Sequence, residues 1–96
     1  MEIDWNPHKN AELIVRHGIG FEEALVAIAG GKLLDERADP NRERYPHQRQ
    51  WIIELDGYIW VVAFVMGGNE IFLKTMFPSR KDTRDYLGGR DGKKKD

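Results

Sequence analysis

Residues Arg49–Val65 read Arg-Gln-Trp-Ile-Ile-Glu-Leu-Asp-Gly-Tyr-Ile-Trp-Val-Val-Ala-Phe-Val, and the period of that stretch decides the fold. Trp51, Ile53 and Leu55 alternate with Gln50, Ile52 and Glu54, the two-residue repeat of a strand with two unlike faces. Asp56-Gly57 follows, a pair that tolerates positive φ at both central positions of a type I′ hairpin turn. Tyr58 to Val65 is apolar on both faces and predicts a central strand. Gly67-Gly68-Asn69 predicts another turn and Glu70 to Phe77 a further strand, so the three segments form an antiparallel meander. Pro78 stops it. Ser79 with Asp82 three positions on resembles a capping box and predicts a short helix, Arg80 to Leu87, closed by Gly88-Gly89.

Towards the N-terminus the period becomes helical. Phe21, Ala24, Leu25, Ile28 and Ala29 follow the spacing of one buried face, so Phe21 to Ala29 is a helix, with Glu22 and Glu23 favoured by the dipole in its first turn. Asn6-Pro7 opens an earlier helix running to about His17, with Ala11, Ile14 and Val15 on its stripe, Leu13 on the flank, and Gly18 as the left-handed residue that ends it. Glu2 to Trp5 alternates as a short strand, Lys32 to Glu36 is a second, and Arg37 to Gln48 is a polar loop. The order predicts an α+β protein: β-α-α and a short strand, then the antiparallel meander and a short C-terminal helix, with two helices on one face of the sheet.

At 96 residues the chain is one domain, placed at residues 1–89, and the polar stretch 90–96 is expected to be a disordered basic tail. With no cysteine it has no disulfide, thiolate zinc site or thiol nucleophile. The longest apolar run, Ile59 to Met66, is far short of the roughly 20 residues a membrane span needs. Met1-Glu2-Ile3-Asp4 lacks the basic start of a signal peptide, so the expectation is a cytoplasmic protein that meets no membrane. Residues 1–71 hold seven Lys/Arg against twelve Asp/Glu, a balance of −5, and residues 72–96 hold eight against four, a balance of +4. That asymmetry suits an anionic ligand at the C-terminal region, and equally a solvated tail.

No phosphate-loop, dinucleotide or metalloprotease motif occurs, and His8 and His17 fall on opposite sides of their helix, so neither a metal nor a cofactor is expected. His17, in the last helical turn, suits either capping or proton transfer. Arg42, Arg44, Tyr45, His47 and Arg49 interleave cations with rings that stack on bases, the composition of a single-stranded RNA contact and also of an exposed charged loop. Lys74 is a lone cation in an apolar strand, and Arg80, Lys81 and Arg84 lie on the last helix, where Arg80 at the N-terminus favours an anion nearby. RNA needs no metal for cleavage: its ribose 2′-hydroxyl attacks the adjacent phosphorus once a base removes the proton, cations hold the phosphate and an acid protonates the leaving oxygen.

Three segments then carry a resemblance. Asp4-Trp5-Asn6-Pro7-His8-Lys9 is similar to a W-x-P-x-K start, Arg16-His17-Gly18-Ile19-Gly20-Phe21-Glu22-Glu23-Ala24 to a K-H-G-[VI]-x-F-E-E-A motif, and Ser79-Arg80-Lys81 to an A-R-K-A segment. Together they resemble the BrnT-like toxins of bacterial type II toxin–antitoxin systems, and Glu43 to Arg49 with Pro78 to Lys81 resembles the branch paired with CopG-like antitoxins. The resemblance implies a RelE-like fold, a ribonuclease that inhibits translation, and a ribbon-helix-helix antitoxin that alone contacts operator DNA. It places His17 at the motif histidine and Arg80 at the motif arginine; the catalytic set expected from these and from the residues themselves is His17 as general acid or base, Arg80 and Arg49 on the scissile phosphate, and Lys74 or Tyr58 assisting. Arg16, Arg44, Tyr45, His47, Tyr58, Lys81 and Arg84 are the expected RNA contacts. The chain departs from the family at Arg16, where lysine is usual, and at Thr75, where an arginine often stands one place after Lys74. Two other readings stay open: a non-catalytic interaction module that only binds a partner, and DNA binding through Arg90 to Lys95.

Overall fold

The computed structural model describes the backbone of residues 2–95 and the side chains of residues 2–88. Its elements are β1 (Glu2–Trp5), α1 (Pro7–His17), α2 (Phe21–Ala29), β2 (Leu33–Ala38), β3 (Gln48–Leu55), β4 (Tyr58–Gly67), β5 (Glu70–Pro78) and α3 (Arg80–Lys95). The α+β class is as expected. Asn6 caps α1 by accepting from the backbone of His8 and Lys9, and Gly18 closes it at φ 82°. The β3–β4 turn has φ 52° at Asp56 and 79° at Gly57, the positive pair that Asp-Gly provides.

The junction between α1 and α2 is built by a side chain from elsewhere. Gly20, which precedes α2, has no side chain with which to cap it, and Asn10 of α1 does so instead, its Oδ1 accepting from the Phe21 N–H at 2.7 Å. The Asn10 amide nitrogen donates to both oxygens of Glu22 at 3.0 Å, and Glu23 accepts from the Gly20 N–H at 2.7 Å. This contact corrects the expected stripe of α1. Asn10 and Leu13 are its buried residues, whereas Ile14 and Val15 are 45% and 88% exposed. On α2 Ala24 is buried as expected, joined by Ala27 rather than by Ala29, which is exposed.

The sheet is mixed, not wholly antiparallel. Its order is β1-β5-β4-β3-β2, and β1 runs parallel to β5, pairing Glu2 with Glu70 and Trp5 with Leu73. A parallel partner is possible because α1, α2 and the other strands intervene and supply the long crossover that such pairing needs. β2 extends to Ala38, so the first part of the expected loop is an edge strand.

One face of the sheet packs against α1 and α2, where Leu13, Phe21 and Ala24 meet Trp51, Ile53, Val62, Phe64, Leu73 and Met76. A side chain such as Phe21 or Phe64, each no more than 1% exposed, contributes roughly 1.5–3 kcal/mol by leaving water. Leu73 and Met76 share that face at an odd separation. Strand alternation forbids this unless one residue is extra, and the register supplies it: Phe64 pairs with Leu73 and Ala63 with Thr75, leaving Lys74 as the bulged residue. Leu87 of α3 covers Ile52, Ile59 and Val61 on the opposite face. α3 passes Gly88 without the left-handed turn that would end it, and so outruns the expected stop at Leu87. The expected tail, 90–96, falls where no side chain is described, and Asp96 lies outside the described residues altogether.

Candidate nucleic-acid interface

On the face that carries α3, the helix leaves part of the sheet uncovered. The open part is a groove of about 420 Å³ floored by Gln50, Ala63 and Thr75, with Tyr45 and Phe77 among its walls. Asp39, Pro40, Asn41 and Gln48 complete it along the β2–β3 side.

The segment joining β2 to β3 is shaped by its own polar groups. Asp39, 7% exposed, accepts from the Asn41 N–H and from the Gln48 amide, both at 2.8 Å. Asn41 in turn accepts from the N–H of Arg44 with its side chain and from that of Tyr45 with its backbone. Such Asx bonding replaces the ladder that the backbone has left. The result holds Tyr45 at the groove mouth, 41% exposed, with the Arg44 guanidinium 5.5 Å from its ring centroid. Arg42 and His47 are exposed on the same loop. Across the floor, the Lys74 ammonium sits 5.4 Å from the Phe72 ring. The bulge therefore gives Lys74 the face of Phe72 and Thr75, away from Leu73.

A second network fastens α3 beside the groove. Arg37 of β2 donates to both oxygens of Asp82 at 2.9 and 3.0 Å and, through Nε, to Gln50 at 2.8 Å. Ser79 caps α3 by accepting from the Asp82 N–H, and its hydroxyl donates to the same carboxylate. Hydrogen bonding from Arg37 holds the Asp82 carboxyl below the usual aspartate range, and Asp82 raises Arg37 in return. The Tyr86 hydroxyl donates to Asp35 at 2.7 Å, which lowers the carboxyl and raises the phenol. Lys81 and Arg84 lie along α3 near Asp85, at 2.8 and 3.8 Å.

The four residues expected to act together lie on four different elements. His17 belongs to the helical layer, its ring edge-on to Trp60 at 5.3 Å. Arg49 faces that layer too, but its partner is Glu36 at 2.7 Å, and it pairs with Phe64, four residues and about 13 Å along β4 from Trp60. Lys74 lies on the groove face. Arg80 is exposed at the start of α3, two residues beyond Pro78, the partner of Trp60, so it shares an end of the sheet with His17 but leads onto the other face. Tyr58, in phase with Trp60, belongs to the helical side, and Arg16 is on the exposed surface of α1. Of the expected RNA contacts, Tyr45 lines the groove, Arg44 and His47 are exposed on the loop that carries it, and Lys74 precedes the groove residue Thr75 on β5.

Gln50, Asp39 and Gln48 were not singled out by sequence. Asp39-Pro40-Asn41 carries a turn signature that marks the first of them, and Gln50 is a lone amide in phase with Ile52 on a strand that the fold makes internal. Comparison with protein-family models and with curated protein sequences gave no match.

Proposed function

We propose that the chain acts on single-stranded RNA held in this groove, as a ribonuclease toxin of the BrnT-like kind with a RelE-like version of the α+β fold. The observation that carries the proposal is the groove itself: an exposed tyrosine backed by an arginine on one wall, a lysine over a phenylalanine beyond the floor, and amides between them. Aromatic rings take base faces and the two cations take the phosphates on either side, the combination by which single strands are bound. In this reading Arg44 and Lys74 hold the strand, and His47, between the groove residues Tyr45 and Gln48, takes the 2′-hydroxyl proton. His17 and Arg80 carry the motif resemblance but are not among the residues that line the groove. Control by a ribbon-helix-helix antitoxin, with operator DNA met only through that partner, belongs to the same proposal.

The test is incubation of the purified chain with single-stranded RNA and detection of 2′,3′-cyclic phosphate ends. His47→Ala is expected to slow cleavage by about 10²–10⁴-fold, the usual worth of a positioned base, while His17→Ala leaves most of it. The converse pattern moves the site to the helical layer and refutes the groove. Intact RNA together with normal growth on expression removes the enzyme, and RNA bound but uncut leaves the interaction module.

A further inference from the structure

The floor of the groove has a hydrogen-bonding pattern of its own, and it resides in two glutamines whose orientations are fixed from behind. Gln50 is 5% exposed, on a strand paired on both sides, between Arg37 of β2 and Ala63 of β4. Arg37 Nε–H donates to its side-chain oxygen at 2.8 Å. A guanidinium is a donor only, so the amide must turn its oxygen to Arg37 and its NH₂ away. Among the described residues nothing accepts from that NH₂. No side-chain nitrogen or oxygen there is both sealed from solvent and unpartnered, so the NH₂ opens onto the groove that Gln50 lines.

Gln48, two residues back on the same face, is oriented in the opposite sense. Its NH₂ donates to Asp39 Oδ2 at 2.8 Å, which leaves its oxygen to accept. Asp39, 7% exposed, holds one donor on each carboxylate oxygen and keeps lone pairs to spare. The groove thus offers the Gln50 NH₂ as a donor group and the Gln48 oxygen and Asp39 carboxylate as acceptors. The buried carboxylate also excludes a phosphate from the floor, since two anions at short range repel. What enters is a base, and the phosphates stay at the rim with Arg44 and Lys74.

Among the four RNA bases, guanine alone presents one acceptor followed by two donors on its Watson–Crick edge: O6, N1–H and the N2 amine. Uracil turns a second carbonyl against an acceptor, cytosine does the same with O2, and adenine offers a single donor. We infer that the groove reads an unpaired guanine, with Gln50 donating to O6, Gln48 and Asp39 accepting from N1–H and the N2 amine, and Tyr45 stacked on the ring. The inference deepens the RNA reading and rests on it.

The experiment is fluorescence anisotropy with 2′-O-methyl RNA heptamers, which cannot be cleaved through the 2′-oxygen, of sequence UUUNUUU with N as guanine, adenine, cytosine, uracil or inosine. The guanine heptamer is expected to bind at least about tenfold more tightly than the other three natural ones, the scale of one well-formed base contact. Inosine, which lacks only the N2 amine, is expected to lose at least about threefold, a part of the same contact. Gln50→Met should remove the preference, bringing the guanine heptamer to within about twofold of the uracil heptamer on the same variant. The inosine comparison leaves the protein untouched, so it holds even where Gln50→Met does not fold. Equal affinity for all bases, or a preference for another base, overturns the guanine assignment and leaves RNA binding standing. No binding of any heptamer overturns both.

Discussion

Replacing Asp82 by asparagine tests the network that joins α3 to the sheet. The Asp82 side chain is 7% exposed and receives two N–H groups of Arg37, whose side chain is 31% exposed. Breaking a fully buried ion pair costs about 3–5 kcal/mol and a surface pair about 0–1. With one member sealed and the other reached by water, the expected loss at pH 7 is about 2 kcal/mol. At a typical urea slope for a domain this size, that lowers the midpoint by about 1–2 M. The pH dependence fixes the cause. Hydrogen bonding from Arg37 depresses the folded carboxyl below its usual 3.8, so its stabilisation is present above the unfolded value. As the pH falls through the folded value, the wild-type carboxyl takes up a proton and comes to resemble the asparagine. The gap between the two proteins, followed by urea denaturation at each pH, should therefore persist from neutral pH down to the unfolded value of 3.8 and close over the range below it. A gap that stays constant over that range, or is absent at pH 7, refutes the argument.

Gly20→Ala should destabilise by about 1–3 kcal/mol in the same assay, because its Cβ would strike the Asn10 oxygen that caps α2 and neither backbone can retreat easily. A midpoint like that of the parent would show that the α1–α2 junction is looser than described. Tyr45→Ala should cost about tenfold or more in affinity for single-stranded RNA, the worth of one stacked base, with an unchanged circular dichroism spectrum. Undiminished binding would place the strand elsewhere.

Much of the architecture was legible because local chemistry sets it. Asn6-Pro7, Gly18, Asp56-Gly57 and Ser79 each mark an end through a backbone bond or a positive φ, and the structure turns or caps at every one. What was not legible depends on contacts distant in sequence. Four residues of β1 hold no information about their partner, so the parallel pairing with β5 went unseen. The stripe of α1 misled because apolar count favours Ile14 and Val15, whereas burial there follows the polar bond from Asn10 to α2. Lys74 was ambiguous because a bulge reverses alternation without any change in composition. The candidate site divides in the same way. The loop of Arg44, Tyr45 and His47 announces itself by residue type, but the glutamines facing it become visible only once strands from three parts of the chain lie side by side.

The pairing of Glu2–Trp5 with Glu70–Leu73 also governs the order in which the molecule can be made. A growing chain has its opening segment in hand long before the strand that receives it exists. The same late strand supplies Thr75 and Phe77, so a polypeptide released early lacks two walls of the cleft. The cleft is complete only once β5 has been made.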